Sequence, residues 1–102
     1  MSQELRFHRA ARAELREAAR WYEGRADGLG GEFVVEMGAC LARIADTPER
    51  FPEVRGAPGV RRALMRRFPY AVVFLVYADI VTVVAIAHGR RRPLYWKTRG
   101  VR

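Results

Sequence analysis

The sequence predicts an α+β fold: an N-terminal short strand and a helical hairpin packed on an antiparallel three- to four-stranded sheet, in the order β-α-α-β-β-β. Two patterns support this prediction. Two stretches between His8 and Thr47 carry apolar side chains at helical spacing, whereas residues 60–87 contain short runs of β-branched and aromatic residues. The length is a third observation, because 102 residues form a single domain, 1–102, with room for two packed layers.

The first helix is preceded by an alternating stretch. Leu5-Arg6-Phe7 alternates apolar and polar side chains, which predicts a short edge strand. From His8 to about Gly24 the spacing becomes helical, and the charged side chains fall largely off the apolar stripe. That stripe, which predicts the buried face of the helix, consists of Ala11, Leu15, Ala18, Ala19 and Tyr22.

A second helix follows a glycine-rich turn. Gly24–Gly31 contains four glycines and predicts the turn, with Asp27 as the N-cap of the next helix. Thr47-Pro48 ends this helix, because proline cannot continue it and restrains the residue before it. We interpret Cys40 as a small core residue rather than a nucleophile, since it lies on the apolar face. The residues of that face are Phe33, Met37, Cys40, Leu41 and Ile44.

The sheet follows a loop over Arg50–Gly59 that includes a short strand near Val54. Val60–Arg67 is predicted as the first main strand, and two apolar runs, Ala71–Tyr77 and Ile80–Ala87, are predicted as central strands joined by a tight hairpin. Both parities of these two strands are apolar, so both faces of the sheet must be covered. The helical hairpin takes one face, and the C-terminal segment, another chain or both take the other. Leu94–Arg99 is predicted as a short terminal helix.

The charge of the chain is unevenly distributed. Residues 1–53 hold 8 arginines and 10 acids, whereas residues 54–102 hold 10 arginines and Lys97 against Asp79 alone. One interpretation is a polyanionic or acidic partner that meets the C-terminal half. The alternative is a generic solubilising surface in which arginine replaces lysine, but that alternative does not explain the one-sided placement.

Several classes of function are excluded by missing motifs. His8 and His88 have no metal-ligand spacing and Cys40 has no second cysteine, so we expect no metal and no cofactor. The Gly28–Gly31 run lacks the features of a phosphate-binding loop, and Ser2 is the only serine, which excludes a serine hydrolase. The apolar runs are too short for a membrane helix and no signal peptide is visible, so we expect a cytoplasmic protein without a membrane partner.

The candidate site residues cluster around the predicted strand ends. If the three strands are neighbours, their arginines converge on one rim, where guanidinium groups bind phosphates bidentately. Trp96 and Tyr95 either stack on an unpaired base or plug the sheet. His88 shares side-chain parity with Val84 and Ile86, and it is either a histidine at the core edge or a catalytic group. The candidates are Arg61, Arg62, Arg66, Arg67, His88, Arg90, Arg91, Arg92, Tyr95, Trp96 and Lys97.

The motifs along almost the whole chain resemble those of the RelE/ParE superfamily of toxins from type II toxin–antitoxin modules, whose members include plasmid-stabilisation proteins. In the first half, the motifs are Phe7, Ala10, Glu14-Leu15, Ala18, Trp21-Tyr22-Glu23, Gly30, Phe33, Ile44, Pro48 and Phe51-Pro52. In the second half, they are Val60-Arg61-Arg62, Arg67-Phe68-Pro69-Tyr70, the run from Ile86 to Pro93, and Tyr95-Trp96.

This resemblance implies a compact RelE/ParE-like fold that inhibits growth and is neutralised by a small cognate antitoxin, which supplies a helix or strand to an open groove and acids to the arginines. Two targets remain open. RelE-like members cut mRNA on the ribosome, whereas ParE-like members poison DNA gyrase and need no RNA-cutting residues. By resemblance, Arg61 or Arg62 and one of Arg90–Arg92 match the phosphate-binding arginines of RelE-like enzymes, and Tyr95 is similar in place to a RelE-like tyrosine. With His88 as the only obvious proton-transfer group nearby, the catalytic candidates are His88, Tyr95 and Arg61. We expect the other arginines, Trp96 and Lys97 to contact the nucleic acid or target.

One departure separates this chain from the RelE-like pattern. Arg50 and Arg55 occupy the loop where RelE-like enzymes carry catalytic lysines, and arginine is too strong a base to release its proton readily. The general base is therefore unassigned, and the His-x-Arg-Arg segment from His88 is closer to the ParE-like branch. A third hypothesis is a non-catalytic basic module that binds nucleic acid or an antitoxin and has lost toxicity.

Overall fold

The computed structural model describes residues 2–99 of the chain. Its order of elements confirms the predicted α+β fold, and the short strand predicted near Val54 is present, because this stretch pairs with the chain that follows it. A short 3-10 turn, Pro48–Arg50, follows the second helix. The elements are β1 (Glu4–Phe7), α1 (Arg9–Arg25), α2 (Leu29–Asp46), β2 (Glu53–Val54), β3 (Ala57–Leu64), β4 (Tyr70–Tyr77) and β5 (Ile80–His88).

The five strands form one sheet in the order β1-β5-β4-β3-β2. All neighbours are antiparallel except β1, which lies parallel to β5 from Glu4 opposite Ile80 to Phe7 opposite Val83. The first and last strands of the chain are therefore neighbours at one side of the sheet. Their pairing also leaves the last part of β5, after Val83, without a strand on that side.

The helical hairpin covers one face of the sheet, and its turn differs from the prediction. The N-cap of α2 is Gly28, with φ of 84°, and not Asp27. Glu23 at the end of α1 takes over the capping role, because its carboxylate accepts the backbone N–H groups of Gly28 and Gly30 at 2.9 and 3.0 Å. The two helices approach closely at Gly30, where a Cβ atom would lie 2.5 Å from the carbonyl oxygen of Ala19.

The main core lies between the helices and the sheet. Cys40 is fully buried there, as predicted, and burial raises the pKa of its thiol. An aromatic cluster closes the end of this layer near the start of β4, with Tyr22 stacked on Phe33 at 5.3 Å and Phe68 edge-on to both rings. The largest fully buried side chains of this layer are Phe33, Phe74, Met37, Ile44, Ile86, Val72, Val81, Val83 and Cys40.

A β-bulge places apolar side chains of β5 on both faces of the sheet. Val73 pairs with Ala85 and Phe74 pairs with Val83, so that Val84 is the extra residue. Val84 and Ala85 consequently join a second cluster on the face away from the helices, whereas Ile86 returns to the helix side. The expected common parity of His88 with Val84 is wrong for this reason, but its parity with Ile86 is confirmed.

The C-terminal segment, residues 89–99, covers part of the second face. Leu94, Tyr95 and Trp96 pack against the second cluster. The predicted helix over Leu94–Arg99 is wrong: this stretch is a series of turns in which Leu94 has φ of 62°. A residue with positive φ interrupts right-handed helical geometry, so the turns do not extend into a helix. Over the described residues, neither helix is long and apolar enough to cross a bilayer.

Candidate functional site

A positively charged cavity of about 950 Å³ opens where β3 and β5 end and β4 begins. We call it the rim cavity. Leu64, Val73 and Trp96 contribute apolar surface to it, and among residues 2–99 Glu53 is the only acidic side chain in its lining. Its arginines come from the β2–β3 turn, from β3, from the β3–β4 connection and from the C-terminal segment. They are Arg55, Arg62, Arg66, Arg67, Arg91 and Arg92.

Arg61 and Arg62 do not converge on this cavity, although they are adjacent in β3. Successive residues of a strand point to opposite faces, and only Arg62 lines the rim cavity. The Arg61 guanidinium instead donates to the carbonyl oxygens of Phe51 at 2.6 Å and Glu49 at 3.3 Å. The expectation of a common rim is therefore wrong for Arg61, which holds the chain before β2.

The arginines of the β3–β4 connection are anchored through α2. The Glu36 carboxylate accepts the backbone N–H groups of Arg66 and Arg67, at 2.6 and 3.2 Å. The Arg67 guanidinium also forms a 2.8 Å ion pair with Glu32, so part of its charge is neutralised. Among the described residues, the Arg66 side chain forms no ion pair, and its charge remains available at the cavity.

The three arginines after β5 have different surroundings. Arg92 lines the rim cavity, and Arg90 lines a second cavity of about 640 Å³ between α1 and the sheet end, beside the half-exposed Trp21. Arg91 lines both, and its guanidinium carbon lies 3.7 Å from the centre of the Tyr95 ring. This contact is a cation–π interaction. It places the Arg91 charge at the boundary between the two cavities.

His88 lies at the same boundary. Its Nδ1 accepts the backbone N–H of Arg90 at 3.0 Å, and its ring meets the Tyr70 ring edge-on at 5.0 Å. Because Nδ1 is an acceptor, the neutral ring carries its proton on Nε2. His88 lines the rim cavity and is the only imidazole there.

Tyr95 and Trp96 are engaged inside the protein. The Tyr95 hydroxyl donates to the Glu14 carboxylate at 2.8 Å, and burial together with that carboxylate raises the pKa of Tyr95. Trp96 is only 6 % exposed and belongs to the second cluster, although part of it borders the rim cavity. This packing corresponds to the sheet plug rather than to an open stacking surface for a base. Lys97 is exposed and lies outside the lining of the rim cavity.

Glu14 is the residue of this region that the sequence interpretation missed. The helical spacing predicts that the charged side chains of the first helix, Glu14 among them, lie largely off its buried stripe. The Glu14 side chain is nevertheless only 13 % exposed and binds Tyr95, Arg99 and β5. A signal was present, because Glu14 follows Ala11 by three residues and precedes Ala18 by four, which places it beside the buried stripe. Arg99, its main partner, was not among the candidates either.

The side chains of the rim cavity are better suited to binding anions than to transferring protons. Cationic side chains surround an apolar floor, which suits phosphate or carboxylate groups that are carried on a partly apolar partner. Of the catalytic candidates predicted from the sequence, His88 is the one whose side chain lines the rim cavity without being bound to Glu14, as the Tyr95 hydroxyl is. Among the described residues, no three His, Cys, Asp or Glu side chains gather closely enough to hold a metal ion.

The comparisons with known proteins agree with this fold. The chromosomal ParDE toxin–antitoxin system of P. aeruginosa contains a chain with a TM-score of 0.73 at 19 % identity, which covers 85 % of this chain and 96 % of that one. The isolated E. coli RelE toxin has a TM-score of 0.63 at 19 % identity, with 94 % of both chains covered. At these identities the structural likeness shows the fold.

A comparison with curated protein sequences finds no match. The family model described as "ParE toxin of type II toxin-antitoxin system, parDE" matches residues 5–93. This match covers most of the chain, from β1 through the arginine run after β5, and so includes all the helices and strands and most of the rim cavity lining, though not Leu94, Tyr95 and Trp96. The chain belongs to the ParE toxin family, within the RelE/ParE superfamily of type II toxin–antitoxin toxins.

Proposed function

We propose that this toxin arrests growth by poisoning DNA gyrase, that the rim cavity contacts the gyrase–DNA complex, and that a cognate antitoxin neutralises it. The family match favours the ParE-like branch, for which gyrase is the expected target. The observation that carries the proposal is the composition of the rim cavity, with six arginines and one glutamate in its lining. Such a cavity attracts DNA phosphates or acidic side chains without performing chemistry on them.

The same cavity is poorly equipped for RNA cleavage. Attack of a 2′-hydroxyl on the adjacent phosphate needs a base, an acid and cationic stabilisation. The arginines supply the last of these, but the Tyr95 hydroxyl is bound to Glu14 and Arg61 faces away from the cavity. The base and the acid would have to come from the other ionisable groups of the lining, His88, Tyr70 and Glu53. This supports a target that is bound rather than cleaved.

Ribosome-dependent mRNA cleavage is the second candidate, and the position of His88 favours it. The imidazole lines the rim cavity together with Arg62 and Arg92, so a phosphate held by these arginines would lie within the same cavity as a side chain of the type that most often serves as general acid or base. An enzyme of this kind would lose activity when His88 is replaced by alanine. A gyrase poison would retain its activity in that variant.

The decisive experiment expresses the chain without an antitoxin and measures growth, gyrase-dependent supercoiling with DNA breakage, and the integrity of mRNA on ribosomes. We expect growth arrest, impaired supercoiling and intact mRNA. The R62Q/R92Q double variant should lose the effect on gyrase because it removes two charges from the cavity. R16Q/R20Q is the matched control, since it removes the same number of charges and both arginines lie exposed on α1 outside the lining of either cavity.

Each alternative has a distinct result. Cleaved mRNA that becomes intact in H88A, with normal supercoiling, would contradict the gyrase proposal and establish the ribonuclease. Normal growth, normal supercoiling and intact mRNA would leave the non-catalytic binding module. Co-expression of the protein encoded beside this gene tests the antitoxin part of the proposal, and we expect it to restore growth.

A further inference from the structure

The Glu14 carboxylate has every acceptor position occupied although it lies on a helix surface. Its Oε1 accepts the backbone N–H of Ile86 and an Arg99 N–H, both at 2.9 Å. Its Oε2 accepts the Tyr95 hydroxyl and the second Arg99 nitrogen, both at 2.8 Å. Arg91 approaches the same oxygen to 3.9 Å. Three parts of the chain, α1, β5 and the C-terminal segment, therefore meet at one side chain.

The ion pair between Glu14 and Arg99 lies at the open edge of β5. The parallel partner β1 ends opposite Val83, and β5 continues for five more residues, to His88. Beyond that point the Glu14 carboxylate receives the N–H of Ile86, and Arg99 donates to the carbonyl oxygen of Val84 at 3.0 Å. The ion pair thus satisfies backbone groups that a longer β1 would otherwise bind.

The backbone of the C-terminal segment makes only local hydrogen bonds after Gly89, over the residues that the structure describes. The N–H groups of Arg91, Tyr95, Lys97 and Arg99 each donate to the carbonyl oxygen three positions earlier. Side chains must therefore attach the segment to the sheet. Leu94 and Trp96 make apolar contacts in the second cluster. Tyr95, between them, and Arg99, farther along, bind Glu14.

We infer that Glu14 is a positioning residue that holds the C-terminal segment on the sheet and, through Tyr95, fixes Arg91 at the wall of the rim cavity. The connection is direct at each step. The carboxylate fixes the Tyr95 hydroxyl, and the Tyr95 ring lies under the Arg91 guanidinium at 3.7 Å. Trp96, the next residue, is buried only while the segment stays in place. This role goes beyond the proposed function, because it concerns how the cavity is built and not what fills it.

The first test follows the burial of Trp96. Trp21 and Trp96 are the two tryptophans of the chain, so a W21F background leaves Trp96 as the only one. We expect acrylamide quenching of its fluorescence to rise about threefold in E14Q, because local release of the segment exposes the indole. E17Q is the matched control, since Glu17 lies on the same helix, is exposed and forms no hydrogen bond among the described residues; its quenching should be unchanged.

The second test separates positioning from charge. E14Q and E17Q each raise the net charge by one unit, so a purely coulombic effect would tighten the binding of a short single-stranded oligonucleotide in both variants. We expect E14Q to bind about fivefold more weakly at low salt, because Arg91 is no longer held at the cavity wall. E17Q should bind as tightly as the wild type or more tightly.

Two results would overturn the inference: unchanged Trp96 quenching in folded E14Q, or tighter oligonucleotide binding in E14Q to the same extent as in E17Q. If E14Q does not fold, Y95F provides the same test, because it removes one hydrogen bond and keeps the ring, and we expect a smaller rise in quenching. A wild-type protein that binds no oligonucleotide would count against the rim cavity as a phosphate site, and the quenching result would then decide on Glu14 independently.

Discussion

Arg61 and Arg62 have different roles because a strand directs adjacent side chains to opposite faces. The Arg61 side chain is 27 % exposed and donates two hydrogen bonds to backbone carbonyls of the chain before β2, whereas Arg62 faces the rim cavity. Hydrogen bonds from a charged donor stabilise more than neutral ones. Arg61 is accordingly placed to stabilise the fold and Arg62 to contact the target.

Replacing these neighbours separately should separate the two roles. We expect R61Q to lower the free energy of unfolding by about 1.5 kcal/mol, because the carbonyl oxygens of Glu49 and Phe51 lose their charged donor. R62Q should change it by less than about 0.5 kcal/mol, since it removes no internal contact. Urea unfolding measures both variants. Equal destabilisation of the two, or a larger loss in R62Q, would contradict this assignment.

At the scale of the elements, the helical hairpin depends on a glycine at the crossing of α1 and α2. Gly30 lies where a Cβ atom would meet the Ala19 carbonyl oxygen at 2.5 Å, and backbone oxygen cannot move aside as a flexible side chain does. Gly38, by contrast, lies in the middle of α2 with open space around its Cα. The two glycines therefore have different reasons to be present.

Alanine at these two positions should shift stability in opposite directions. We expect G30A to destabilise the domain by about 2 kcal/mol, because the added methyl group forces the helices apart. G38A should stabilise it by about 0.8 kcal/mol, because alanine is the better helix former. Thermal unfolding followed by circular dichroism provides the comparison. If G30A proved as stable as the wild type, the helices would not be in the close contact described.

The turn between β4 and β5 lacks the glycine that two-residue hairpin turns of this kind usually contain. Ala78 and Asp79 both have positive φ, 53° and 64°, which is the backbone of a two-residue turn that usually contains Asn-Gly. The hairpin was predictable without glycine because the apolar runs on both sides set its position. The eight paired positions of β4 with β5 outweigh the local cost of the turn.

Glu14 joins α1, β5 and the C-terminal segment, and its titration therefore makes the stability of the whole domain depend on pH. Burial alone would raise the pKa of Glu14, but hydrogen bonds from Arg99, Tyr95 and the Ile86 N–H, with the Arg99 charge, outweigh it and lower the pKa. A carboxyl group whose pKa is lower in the folded state binds protons more readily when unfolded. It therefore stabilises the domain above its ordinary pKa and loses this effect as the pH falls.

The difference in unfolding free energy between the wild type and E14Q should follow this titration. We expect about 2 kcal/mol in favour of the wild type at pH 7, because Gln keeps the shape but loses the charge-assisted hydrogen bonds. The difference should remain constant down to about pH 5 and shrink as the pH falls through the unfolded value of about 4.3. The groups facing Glu14 are Tyr95, Arg91, Arg99 and Tyr70. Urea titrations at several pH values test this, and a difference that stays constant to pH 3 would contradict it.

The element order, the buried faces of both helices and the two central strands could be predicted from the amino-acid sequence. Each of these follows from a local period, either 3.6 or 2 residues, in the placement of apolar side chains. The arginine excess of the second half and the family resemblance were also readable there. The N-cap of α2 was missed because Glu23 and Gly28 meet only when the hairpin turn brings them together.

Which arginines share a cavity, and which groups hold them there, depends on how the elements pack and could not be predicted from local sequence patterns. The bulge at Val84, the separation of Arg61 from Arg62 and the burial of Trp96 depend on strand register and on how the C-terminal segment folds back. The contact of Glu14 with Arg99 spans 85 positions of the chain. Apolar periodicity reports how each residue lies relative to its own element, and it carries no information about which distant charge will be opposite when the elements pack.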